Sequence, residues 1–321
     1  MNKTALKIVI SVAVLAVLLF SLPLDELWGA MRRLPPLVWL GVLGGFLGGH
    51  SLGVFKWRRM LGVGRADLVP RDAVRCYSAG LFANLCLPSI VGGDVLRAVL
   101  AGRATGRPEA VVVGSIGDRL CDTLALAGLA GVGALLVRTS LPGWWPNVIG
   151  VLLIVGVIAA GLFVPLALRR PLDSWPRKVR RPVGRTLVAL RKLSRSPGAA
   201  VSVLLMSLTI QTSFVLLNAW LGRSVGVDVP LEVWFFAWPM AKIAGLLPVS
   251  LGGLGVRDAT LGAALLPFSV AMATGVAVSL LWQTVLIAGG LIAGAAWALL
   301  GRGEASIEML RRPGLDGGSA S

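Results

Sequence analysis

Charged side chains are scarce inside the apolar stretches of this 321-residue chain, and those that occur there recur in a pattern. Leu87 to Arg97 reads LPSIVGGDVLR, and Leu247 to Arg257, 160 positions later, reads LPVSLGGLGVR. Both are Pro-x-x-x-Gly-Gly-x-x-x-Arg. An ionised group at the centre of a membrane helix costs roughly 2.5 to 3.5 kcal/mol on insertion scales, so each needs a partner or a task. The residues in question are Asp94, Arg97, Asp118, Arg119, Asp122, Lys242, Arg257 and Asp258. The chemistry they suit is anion binding. A Gly-Gly turn opens a half-helix whose free N–H groups and positive dipole end attract phosphate, and Arg97 or Arg257 one turn on adds a planar fork of donors. Arginine suits a desolvated phosphate better than lysine, because its charge persists and its fork matches the oxygens. Arg119, on the helix after the first motif, is placed to close such a site from the side. The competing reading is mutual neutralisation: Asp94 and Arg97, and likewise Arg119 and Asp122, are three apart and can meet on one helix face as a salt-bridged plug.

Asp118 and Asp122 also form D-x-x-x-D, a spacing that can hold magnesium on a diphosphate substrate and would make the chain a membrane transferase. Arg119 intervenes, and no second acidic cluster exists. His50 is the one histidine, with no obvious carboxylate beside it, so neither a metal role nor a Ser-His-Asp set is expected. Cys76, Cys86 and Cys121 lack CxxC spacing and read as structural. Asn84, Gln211, Asn218 and Gln283 are available to hydrogen-bond a headgroup or a neighbouring helix.

The elements that must position these residues are set by composition. Hydrophobic residues make up 56% of the chain and charged ones 14%, with a mean hydropathy of +0.82, which excludes an ordinary soluble domain. Apolar runs at Leu6–Leu24, Pro36–Phe55, Ala110–Val137, Val148–Leu168, Ala199–Leu221 and Met272–Leu300 are near or above the roughly 20 residues that cross a bilayer as helix. Residues 169–195 hold ten Lys or Arg against Asp173, and Lys56, Arg58, Arg59, Arg65, Arg71 and Arg75 follow the second run. Under the positive-inside rule both basic stretches are cytoplasmic, as are both termini. The formal charge of +16 is therefore assigned to lipid headgroups and not to nucleic acid.

That topology closes only if residues 76–107 and 230–268, which hold the two motifs, are re-entrant hairpins. Proline and paired glycines leave backbone groups free, which a bilayer tolerates only beside protein or water. The predicted fold is thus an all-α polytopic membrane protein, one domain over residues 1–321. It has about six spanning helices and two hairpins in an inverted repeat, 36–137 and 199–300. Broken helices at matched positions in two halves mark transporter binding sites. Gly41, Gly45, Gly49 and Gly53, with Gly44 and Gly48 beside them, give the second helix a smooth face for close packing.

NLCLPSIVGGDVLRA (84–98), IGDRLCD (116–122) and LLPVSLGGLGVRDA (246–259) resemble the flippase-like membrane family that includes the membrane half of the lysylphosphatidylglycerol synthases. The resemblance covers roughly residues 5–302. It implies translocation of a lipid between leaflets, with the paired hairpins forming the headgroup site. By position, Pro88, Gly92, Gly93, Asp94 and Arg97 match the first motif, Asp118 and Arg119 the following helix, and Pro248, Gly252, Gly253, Gly255, Arg257 and Asp258 the second motif. In those synthases a large soluble domain attaches the amino acid; this sequence ends at Ser321, so that activity is expected to be absent.

The sequence therefore predicts a translocator for an anionic or lipid-linked headgroup in a bacterial or archaeal cytoplasmic membrane, and not an enzyme. Substrate-binding roles fall to Asp94, Arg97, Asp118, Arg119, Arg257, Asp258, Asn84 and Gln283, and hinge roles to Pro88, Gly92, Gly93, Pro248, Gly252, Gly253 and Gly255. No metal or cofactor is expected, and no nucleotide-binding loop is present to couple ATP. Expected partners are membrane lipids, with a lipid-synthesising enzyme or a second copy of the chain as further candidates. The alternatives are the Asp118/Asp122 transferase and a scaffold for a cell-envelope enzyme.

Overall fold

A computed structural model of the chain describes residues 24–86, 92–138, 143, 145–167, 195–246 and 255–311. The described residues are helical, with no strand among them. Four long apolar helices are each able to cross a membrane: α2 (Pro36–Val63), α5 (Pro108–Leu136), α7 (Pro197–Ser224) and α10 (Met272–Arg311, apolar to Gly301). Prolines open α2, α5 and α7, where a missing N–H costs nothing. Shorter helices lie between them. These are α1 (Leu24–Arg32), α3 (Pro70–Cys86), α4 (Gly92–Thr105), α6 (Trp145–Ala167), α8 (Leu231–Gly245) and α9 (Val256–Leu265), the last continued by a 3-10 turn over Leu266–Phe268.

The predicted apolar runs at 36–55, 110–137, 148–168, 199–221 and 272–300 are all helical within the described residues. The run at 6–24, apart from Leu24, lies outside them, as does the basic stretch 169–195 except Arg195. One boundary differs usefully. The second apolar run ends at Phe55 before the basic stretch, yet α2 continues to Val63, and Lys56, Trp57, Met60 and Leu61 extend its buried face.

Side-chain contacts fix the direction of each long helix. Cβ atoms added to Gly41, Gly45 and Gly49 of α2 would meet Trp220, Leu217 and Phe214 of α7 in descending order, so these helices are antiparallel. The glycine face is a close helix contact, as its spacing indicated. Likewise Trp57 reaches Ser115, while Gly114 and Gly117 of α5 lie on Leu61 and Met60, which makes α5 antiparallel to α2. By contrast, Trp39 bonds Thr284 and Phe46 packs on Gly289, so α10 runs parallel to α2.

The two short-helix pairs sit in the spaces between the long helices. α3 packs along α4 and also along α10, while α8 packs along α9 and also along α5. Gly80 and Gly93 meet at the α3–α4 contact, and Gly133 of α5 meets the backbone at Phe235–Phe236 of α8. At 1.5 Å per residue, helices of 17 and 14 residues, or of 15 and 10 residues, reach about 15 to 25 Å, short of the roughly 30 Å hydrocarbon core. A core cluster around Phe46, Phe214, Trp234, Trp238 and Trp282 joins α2, α7, α8 and α10.

Candidate functional site

Where α2, α4 and α5 converge, the intramembrane charges of the first half form one network. Arg97 is buried, and its Nη2 lies 3.0 Å from Asp118 Oδ2 and its Nε 3.2 Å from Asp94 Oδ1. Its guanidinium carbon stands 5.0 Å from the ring centre of Trp57 and 5.1 Å from that of Tyr77, within cation–π range of both. Arg119 Nη2 reaches the same Asp94, at 2.5 Å. Lys56 Nζ lies 3.1 Å from Asp118 Oδ1, contacts Asp122 Oδ1, and donates to Ser207 Oγ at 3.2 Å. Three cations thus face three carboxylates. The helical spacing of Asp94 and Arg97 does pair them, whereas Arg119 and Asp122 turn to different partners: Arg119 to Asp94 and Asp122 to Lys56.

Lys56 is the member of this network that its setting in the sequence hid. It has 2% of its surface exposed and stands between Asp118 and Asp122, where the D-x-x-x-D reading put magnesium. Among the described residues no group of three or more His, Cys, Asp or Glu is arranged to hold a metal ion. Its one available signal is register. Lys56 falls three residues after Gly53 and four before Met60, on the buried stripe of α2.

The second half builds a smaller counterpart. Arg257 donates from Nη2 to Asp258 Oδ1 at 3.0 Å and to Gln283 Oε1 at 3.1 Å, and from Nε to Ser279 Oγ at 3.2 Å. Asp258 is fully buried, and Ser279 Oγ donates to it at 2.5 Å. Arg97 takes Asp118 from 21 residues ahead, and Arg257 takes Ser279 from 22 ahead, so each arginine anchors its short helix to the next long one. In both cases Nη1 donates no hydrogen bond among the described residues.

The N-termini of the two half-helices carry internal caps. Gly92 and Gly93 open α4, as the motif suggests, and Gly93 N donates to Asn84 Oδ1 at 3.1 Å, with Asp94 in the first turn. Before α9, Gly255 has φ +79°, a conformation glycine adopts without strain, and its N–H donates to Asp258 Oδ2 at 2.9 Å. The expected hinge residues Pro88, Pro248, Gly252 and Gly253 lie outside the described residues.

Lys242 on α8 stands between the two clusters. Its Nζ donates to Gln211 Oε1 at 2.7 Å and lies 5.1 Å from the ring centre of Phe214. The charges of Asp122, Arg119 and Lys56 from the first cluster and of Arg257 from the second all act on it. No carboxylate is ion-paired with it among the described residues. His50 completes this region, with Nδ1 3.2 Å from the Tyr77 hydroxyl. Asn218 is buried and donates within its own helix, to the Phe214 carbonyl at 2.9 Å, while its amide oxygen has no hydrogen-bond partner among the described residues. Cys76 and Cys121 are buried free thiols.

Exposure separates these charges. Lys56, Arg97, Asp118, Arg257 and Asp258 are buried, whereas the Arg119 side chain is 49% exposed near the middle of α5. Charge at that depth is tolerated where it faces a cavity, water or a polar group.

Over residues 5–294 the chain matches a family described as the lysylphosphatidylglycerol synthase TM region. A UPF0104 membrane protein of Methanothermobacter thermautotrophicus is 24% identical over 240 residues, which cover 65% of this chain and 68% of that protein. No solved structure matches the chain.

Proposed function

The chain belongs to the lysylphosphatidylglycerol synthase TM region family, and from that premise we propose that it moves lipids with anionic or lipid-linked headgroups between the leaflets of a bacterial or archaeal cytoplasmic membrane. The observation that carries this reading is the half-exposed Arg119 in an apolar helix, the accessible cation of a network whose other two cations are buried. A headgroup phosphate is the partner such a guanidinium suits. Arg97 and Arg257 keep Nη1 uncommitted toward the same ligand, Asp94, Asp118 and Asp258 hold the arginines in place, and Asn84 and Gln283 orient their surroundings.

The architecture behind this proposal is the inverted repeat. Its two units are α2, α3–α4, α5 and α7, α8–α9, α10, with each short pair a re-entrant hairpin lodged against the last long helix of the other unit. What supports it is direction: α2 and α10 run one way while α5 and α7 run the other, so matching helices of the two units point oppositely. The short pairs then approach mid-membrane from opposite faces, and rocking of one unit against the other alternates access. With the basic stretch 169–195 assigned to the cytoplasm, the first hairpin enters from inside and both termini face the cytoplasm. Lys56, occupying the space between Asp118 and Asp122, favours translocation over magnesium-dependent transfer. Lipids are the proposed partners, and a lipid-synthesising enzyme or a second copy would act beside them.

Reconstitution into vesicles with a fluorescent phosphatidylglycerol, read by quenching of the outer leaflet, tests the proposal. Arg119→Gln is expected to slow translocation by about tenfold or more, the scale of a lost charge-assisted bond. Its unfolding midpoint should barely move, because a half-exposed ion pair stabilises by only about 0.2 to 1 kcal/mol. Wild-type rates in both Arg119→Gln and Arg97→Ala/Arg257→Ala would return the site to a structural plug.

A further inference from the structure

Each cluster balances its own charges, and Lys242 is the charge left over beside them. Lys56, Arg97, Arg119, Lys242 and Arg257 carry five formal positive charges, and Asp94, Asp118, Asp122 and Asp258 carry four negative ones; among the described residues every one of these cations except Lys242 is ion-paired. The segments that join α3 to α4 and α8 to α9, LPSIV at 87–91 and LPVSLGGL at 247–254, contain no ionisable residue, so neither offers a carboxylate to restore balance. The excess charge has a defined seat. Lys242 Nζ is held by a neutral amide, Gln211, and by the face of Phe214, partners that hold an ammonium without discharging it. The charges of Asp122, Arg119, Lys56 and Arg257 all act on it, the cations among them outnumbering the one carboxylate.

We propose that Lys242 sets the charge of the ligand: the site between the clusters takes a headgroup bearing one net negative charge, of the phosphodiester kind, and discriminates against headgroups that are zwitterionic or made cationic by an attached amino acid. A single anion brings the region to neutrality. A zwitterion leaves the excess in place, and an aminoacylated phosphodiester with two ammonium groups adds to it. Uncompensated charge in a low-dielectric setting is costly, so the preference follows from the count of charges as well as from any single contact. The proposal rests on the translocation reading only for the fate of the bound lipid, since charge preference is a property of binding.

The test measures binding and movement separately on the full chain. In nanodiscs of neutral lipid, a fluorescent phosphatidylglycerol is displaced by phosphatidylglycerol, phosphatidylcholine, lysyl-phosphatidylglycerol or inorganic phosphate. Wild type is expected to prefer phosphatidylglycerol over the other two lipids by about tenfold or more, Lys242→Arg to keep that preference, and Lys242→Gln and Lys242→Met to lose it. Equal displacement by the three lipids in wild type, or full preference in Lys242→Gln, overturns the proposal. Displacement by inorganic phosphate as effective as by phosphatidylglycerol overturns its lipid arm and assigns the site to the free anion. Preference lost with Lys242 but no movement of any lipid in vesicles supports the charge rule and removes the translocation reading instead. Should Lys242→Met fail to fold, the comparison of Lys242→Gln with Lys242→Arg still decides.

Discussion

Lys56→Met is expected to destabilise the chain by about 3 to 5 kcal/mol, the scale for removing one partner from a buried ion cluster. The side chain lies within ion-pair distance of both Asp118 and Asp122, and its Nζ also donates to Ser207. Methionine restores the stem but leaves Asp118, which is buried and still holds Arg97, and the partly buried Asp122 without the cation between them. The loss should be visible as a lowered unfolding midpoint in detergent. It should also be specific: Lys56→Met/Asp122→Asn is expected to recover part of the loss, because the second change removes a charge that the first one orphaned. A double-mutant cycle over these two positions reads that coupling directly. If Lys56→Met unfolds at the wild-type midpoint, or if Asp122→Asn adds its own loss in full, the cluster is not the coupled unit that its distances describe.

The same lysine shows where the sequence was misleading. Hydropathy and the positive-inside rule treat a run of basic residues as one object, and place Lys56, Arg58 and Arg59 together in a cytoplasmic stretch. A helix does not treat them so. Successive residues are rotated by about 100°, so Arg58 and Arg59 are exposed while Lys56 and Trp57 turn inward against α5. Period was legible and depth was not. The glycine face of α2 was read correctly because its four-residue spacing is itself a statement about packing, and Gly41, Gly45 and Gly49 indeed receive side chains of α7. The Arg119–Asp122 pairing failed for a different reason. Three-residue spacing permits a pair on one helix, but Asp94 on α4 and Lys56 on α2 offered each residue a partner across the helix contact. Lys242 was visible as a charge in an apolar segment, while its pairing with Gln211 and Phe214, and with no carboxylate among the described residues, emerges only from the packing of α8 on α7.

A second large effect is expected at Gly93. A Cβ there would overlap the carbonyl oxygen of Gly80 and the side-chain oxygen of Asn84, and a side chain at Gly80 would in turn meet the Gly93 carbonyl at 2.7 Å. The obstacle is largely backbone, which cannot rotate aside as a flexible side chain does, so Gly93→Ala must push α4 away from α3. Overpacking of this kind costs about 1 to 3 kcal/mol, and the displacement falls directly on the residues that follow. Asp94 is the next residue and Arg97 lies one turn further on, at 3.2 and 3.0 Å from its two carboxylates. Those contacts have little slack, so Gly93→Ala is expected to abolish translocation and headgroup preference together while lowering the unfolding midpoint. Gly44→Ala is the matched control. Nothing lies within 4 Å of a Cβ there, and alanine within a helix gains about 0.5 to 1 kcal/mol over glycine. That variant should move lipid as wild type does and unfold no earlier. Were Gly93→Ala to retain both its stability and its transport, close contact between α3 and α4 could not be what holds Arg97 in place.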